Sequence, residues 1–177
     1  QNINYNNLYL DSNSIIYDAI HKIEYINKED YENKVIEMVI EKINSLIETV
    51  NAKNVLITFD GVAPFAKLNQ QKTRRYKSWV INEIFQKTAE WDRCSITPGT
   101  NFMNKLDIKI EKYYKENLKH INVIYSGSSI PGEGEHKIFE YIRENKEYHQ
   151  KNDTVIYGLD SDLIMLTLNH LNITKNL

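Results

Sequence analysis

Apolar residues along the chain fall into short bursts separated by longer stretches at helical spacing. Leu8, Tyr9 and Leu10 form the first burst. Ile15, Ile16, Ala19, Ile20 and Ile23 follow at helical spacing after Asp11, Asn13 and Ser14, residue types that suit a helix start. This predicts a strand, a turn and a helix. Asp30 opens a longer periodic stretch through Val35, Val39, Ile43, Leu46, Ile47 and Val50, long enough to cross back over a sheet. A second strand is predicted from Val55 to Phe59, ending at Asp60. The segment from Ala66 to Trp91 has helical character with a mixed pattern, and Pro98 to Leu118 reads as another helix, with Thr97 as its cap and Pro98 as its first residue. Val123 to Tyr125 is a third strand, followed by a loop from Gly127 to Gly134 and a helix from about Glu135 to Lys146. Val155 to Tyr157 is a fourth strand, leading through GLDSD into an apolar helical start at Leu163. Short apolar strands alternating with helices predict an α/β fold: a mostly parallel central sheet with helices on both faces, joined by right-handed crossovers.

Composition narrows the class. The chain has 177 residues, 41% of them apolar, enough for a core without disulfide staples. Three prolines and six glycines leave no linker, so residues 1–177 are expected to form a single domain. With 26% charged residues and no apolar run approaching about 18, no membrane span is expected. A formal net charge of −2 excludes an overall cationic binder but not a local basic patch. The lone cysteine, Cys94, cannot form an internal disulfide, and the polar start QNINYNN does not resemble a signal peptide. An intracellular, reducing compartment is expected, the cytoplasm before the nucleus.

Ligands of an open parallel sheet bind at the carboxyl ends of its strands. Here those ends carry acids: Asp11 after the first strand, Asp60 after the second, Glu133 and Glu135 in the loop after the third, Asp160 and Asp162 after the fourth. Asp is common in turns and helix caps, which explains any one of these positions, but all four strand ends doing so by accident is much less expected. Six carboxylates brought together repel and need counter-charge. Mg²⁺, with Mn²⁺ as an alternative, is the natural partner, since paired ions about 4 Å apart can hold both oxygens of a phosphodiester displacement. One Cys and five scattered His argue against zinc, and His136, beside Glu135, reads as a supporting or packing residue.

Between the second and third strands, Lys67, Gln71, Arg74 and Arg75 are spaced i, i+4, i+7 and i+8. At about 100° per residue they fall within roughly a third of a helix circumference, a donor-rich face suited to a terminal phosphate. Alone, such a face is more often simply solvated; seven residues after Asp60 it stands beside the acids. Tyr17, one turn into the first helix, could stack on a base, although aromatics there are core at least as often.

The segments NLYLDSNSII, FDGVAPFAKLNQQKTRR, SITPGTNFM, IPGEGEHKIFEYIR and YGLDSDLIML, in this order from about Asn7 to Leu168, closely resemble the XRN-type 5′→3′ exoribonucleases, relatives of flap endonucleases and PIN-like nucleases. The resemblance implies the front portion of a PIN-like nuclease core, incomplete at both ends. It implies metal binding and catalysis by Asp11, Asp60, Glu133, Glu135, Asp160 and Asp162, and a 5′-monophosphate pocket of Lys67, Gln71, Arg74 and Arg75. The implied reaction is Mg²⁺-dependent hydrolysis of single-stranded RNA from its 5′ end to nucleoside monophosphates, in RNA decay. Two positions depart from the family: Phe65 stands where an Arg is usual, and Tyr17 where a His stacks on the first base. The family also has a further metal-binding Asp, beyond position 177. Two other functions compete. A catalytically silent 5′-phosphate RNA-binding module would bind without cutting. A haloacid-dehalogenase-type phosphatase also starts with an Asp after its first strand, but it wants a second acid two residues on, where Asn13 stands.

Overall fold

The computed structural model describes residues 5–84, 91–118, 120–174 and 176–177. Four parallel strands, β1 (Asn7–Asp11), β2 (Asn54–Thr58), β3 (Asn122–Ser126) and β4 (Thr154–Tyr157), form one sheet in the order β3-β2-β1-β4. The predicted α/β class and parallel sheet are therefore present. α1 (Asn13–Ile20) and α2 (Lys28–Val50) link β1 to β2, and α3 (Phe65–Ile84) and α4 (Asn101–Asn117) link β2 to β3. α5 (Gly134–Glu144) and α6 (Lys146–His149) link β3 to β4, and α7 (Asp162–His170) follows.

Strand alternation sends successive side chains to opposite faces, and each face has its own core. Leu8, Leu10, Val55 and Ile57 pack with Ile15, Ile16, Val35, Val39, Ile43, Phe102 and Leu106 of α1, α2 and α4. Tyr9 and Leu56, the intervening residues, pack on the other face with Ile138, Phe139 and Ile142 of α5 and Leu163 of α7. Helices thus cover both faces. The direction of connection reverses at β1: β2 and β3 extend the sheet one way, and β4 returns to the other side of β1. Such a reversal opens a crevice at the carboxyl ends of the strands.

Two boundaries differ from the sequence reading. The helix predicted from Pro98 with Thr97 as cap begins instead at Asn101, capped by Thr100, whose Oγ1 accepts from the Met103 N–H at 3.3 Å. Gly99 lies between, at φ +87, left-handed backbone that cannot continue a helix, while the Thr97 hydroxyl donates to the Cys94 carbonyl at 2.6 Å. The helix after Gly134 breaks at Asn145 into α5 and α6. The expected continuation of α3 toward Trp91 falls on residues 85–90, outside the described residues. No helix among the described residues is long and apolar enough to cross a membrane.

Candidate metal and phosphate site

The carboxyl edge of the sheet carries the acids. Asp11 is the last residue of β1, and Asp60 lies two residues past β2. Glu133 is the N-cap of α5 and Glu135 stands in its first turn. Asp160 lies in the turn after β4, and Asp162 is the first residue of α7.

Loop hydrogen bonds bring these residues together. The Asp60 N–H donates to Asn13 Oδ1 at 3.1 Å, and Asp60 Oδ1 accepts from the Gly134 N–H at 2.7 Å. Gly61 N–H donates to the Gly132 carbonyl at 2.8 Å and Gly132 N–H to the Val62 carbonyl at 3.0 Å, pairing the loop after β2 with the loop after β3. Asp107 of α4 fixes the start of that second loop, accepting from Ser128 N–H at 3.0 Å and Ser128 Oγ at 2.7 Å. Lys137, buried on α5, donates to the carbonyls of Phe59 and Gly127 at 2.7 and 2.8 Å.

All six carboxylates converge through Glu135. Ligand atoms of Asp11, Asp60 and Glu135 lie within 4.8 Å of one another, as do those of Glu135, Asp160 and Asp162, and those of Glu133, Glu135 and His136. Asp11, Asp60, Glu133 and Glu135 are buried or half-buried, and Asp160 and Asp162 are exposed.

Electrostatics follow from this crowding. Burial, with Asp60, Glu135 and Asp160 nearby, pushes the Asp11 carboxyl up to about 7. Burial also raises Asp60, against the Gly134 N–H that favours its charged form, and raises Glu135, with Glu133 and Asp60 adding to the effect. Burial lowers Lys137 to about 8 against the pull of Asp60 and Asp107. Asp11 Oδ1 is fully buried and has no hydrogen-bond partner among the described residues. A methyl group at Gly134 would run into that same oxygen and come within 3.1 Å of Thr58 Oγ1, so glycine leaves Asp11 a bare, oxygen-lined cradle. An orphaned carboxylate oxygen, acids driven toward protonation and an all-oxygen donor set fit a hard divalent cation.

The basic face is joined to the acids at one point. Lys67 Nζ lies 3.3 Å from Glu133 Oε1. Burial alone would lower the Lys67 ammonium, but this ion pair, with Glu135 and Asp162 nearby, holds it above its ordinary value. Gln71 and Arg75 follow one and two turns along α3, both half-buried. The Arg75 charge reaches Cys94, an exposed free thiol. Arg74 is on the same helix, but its side chain lies outside the described residues. Phe65, the first residue of α3, is 80% exposed. Tyr17 on α1 is 40% exposed and stands one turn after Asn13, which binds the Asp60 backbone.

Sequence reasoning named one supporting residue here and passed over two others. His136, read as a supporting or packing residue, has a side chain 60% exposed with Nε2 3.9 Å from Glu133 Oε2, the supporting place beside an acid rather than the packing one. Lys137 and Asp107 read as ordinary helix residues, because only the fold brings the carbonyls of Phe59 and Gly127 to one and the Ser128 amide to the other. A cavity of about 190 Å³ opens at the opposite, amino edge of the sheet; Asn7, Asn54 and Tyr148 in its wall are bonded to one another, and none of the six acids lines it.

The family described as "XRN 5′-3′ exonuclease N-terminus" matches residues 1–175. The chain is 37% identical to 5′-3′ exoribonuclease 1 of Saccharomyces cerevisiae over 93% of its own length and 12% of the relative's. It is 36% identical to 5′-3′ exoribonuclease 2 of Candida glabrata and to that of Schizosaccharomyces pombe, over 92% of its own length and 19% and 20% of theirs. The chain thus spans a fifth or less of the length of these relatives. With the acids at the carboxyl edge of its sheet and nearly every residue matched, the chain belongs to the XRN 5′-3′ exonuclease N-terminal family.

Proposed function

We propose that the chain serves a metal-dependent 5′→3′ exoribonuclease acting on single-stranded RNA with a 5′ monophosphate, with residues 1–177 as its N-terminal nuclease domain. The observation that carries this reading is the meeting of the other five acids around Glu135 in three clusters, one of them with His136, with Lys67 of the basic helix paired to Glu133. Asp11, Asp60, Glu133, Glu135, Asp160 and Asp162 would hold Mg²⁺, which supplies charge neutralisation and polarisation of the phosphodiester. Lys67, Gln71, Arg74 and Arg75 grip the terminal phosphate, and their spacing from the acids limits cutting to the bond beside the end. Glu133 orients the Lys67 ammonium toward that phosphate. Tyr17 offers an exposed ring to the first base. A free thiol at Cys94 suits a reducing compartment, consistent with RNA decay in the cytoplasm.

The test is incubation of 5′-phosphorylated, 5′-hydroxyl and 5′-triphosphorylated single-stranded RNA with the protein and Mg²⁺. Release of nucleoside monophosphates from the first substrate alone is expected. Asp160→Asn should abolish it while sparing RNA binding. Normal cleavage by this variant would reject the acid assignment, and RNA retarded but never shortened would indicate the silent binding module.

A further inference from the structure

Lys137 is the one buried ammonium beside the six acids among the described residues, and it forms no ion pair with any of them in the structure; its two close hydrogen bonds go to backbone carbonyls. Those carbonyls belong to Phe59, directly before Asp60, and to Gly127, the first residue after β3. The ammonium therefore ties the carboxyl ends of two neighbouring strands to α5, the helix that carries Glu135. Around it the loops are already paired through Gly61 and Gly132, and Asp107 holds Ser128 from the other side. One side chain thus touches the backbone on which Asp60 and the 127–133 loop depend. Nothing in the metal reading assigns it a task.

We propose that Lys137 is a positioning residue for the metal site, holding Asp60 and Glu135 at the separation a shared cation needs by clamping the β2 and β3 ends to α5. This rests on the acid cluster binding a divalent cation. The clamp has a sign that separates it from simple electrostatics. Removing a buried positive charge beside acids strengthens cation binding if charge alone matters. Losing a clamp weakens it, by about ten- to a hundred-fold for a group that orients metal ligands.

The experiment is titration of the protein with Mn²⁺, followed by the electron paramagnetic resonance of the free ion, for the unaltered chain and Lys137→Met, with thermal unfolding measured alongside. The expected result is a Kd for Mn²⁺ raised ten-fold or more in a variant that is still folded by circular dichroism. A folded variant with unchanged or tighter Mn²⁺ binding overturns the proposal, even if its unfolding midpoint falls, because a merely structural lysine moves only that midpoint. If Lys137→Met does not fold, Lys137→Gln, which keeps an N–H donor for one carbonyl, is judged by the same criterion. Absence of Mn²⁺ binding by the unaltered chain is a distinguishable outcome: it overturns the metal reading, and the positioning role with it.

Discussion

Asp11 shows what the site demands of one residue. Its carboxyl is buried at the end of β1 with one oxygen unpartnered, and it holds its proton up to about pH 7 rather than near 4. The unfolded chain gives up that proton first, so without metal the folded state loses stability as pH rises from about 4 through 7. In metal-free protein at pH 8, Asp11→Asn should therefore unfold at a higher temperature than the unaltered chain. The gain is bounded at roughly 4 kcal/mol, from about 1.4 kcal/mol for each pH unit between the two titrations. At pH 4 the difference should vanish. Thermal unfolding at the two pH values in a chelator checks this; a variant equally destabilised at both would show that Asp11 is structural. The gathering of the six acids at one edge was legible in the sequence, because strand ends in a parallel sheet are predictable from apolar bursts. The roles of Asn13, Asp107 and Lys137 were not. Each acts on the backbone of a distant segment, and such contacts leave no periodic trace.

At the scale of elements, apolar periodicity located all four strands within a residue or two and predicted helices on both faces, without saying which helix covers which face. It failed where local turn chemistry overrides pattern. The stretch SITPGT places two threonines before a helix, and Pro at the expected first position favours the earlier one. Gly99, in the left-handed region, moves the start to Asn101 and hands the cap to Thr100. Thr100→Ala should lower unfolding stability by about 1 kcal/mol, through loss of the cap to Met103, while Thr97→Ala costs less because its hydroxyl bonds an exposed turn. Chemical denaturation of the two variants measures the difference; equal losses would return the cap to the sequence reading. The bond from the Tyr9 hydroxyl to buried His149 was equally invisible, since it joins β1 to α6 across 140 residues.

At the scale of the molecule, strand order carries the argument. Because β4 returns beside β1, the acids of β1 and β4 flank one crevice, and the loops after β2 and β3 close over its other side. α3 leaves the same edge with Lys67 against Glu133, which brings cationic and anionic halves of the site within one ion-pair distance. Sequence spacing could put the basic residues on one face of a helix, but only the fold sets Lys67 against Glu133. The central claim is that these carboxylates hold divalent metal. Anomalous diffraction from crystals of the protein soaked in Mn²⁺ tests it most directly. The account predicts a peak among the oxygens of Glu135 and its neighbours Asp11, Asp60, Asp160 and Asp162; a well-occupied Mn²⁺ found only elsewhere on the molecule, with that edge empty, would contradict it.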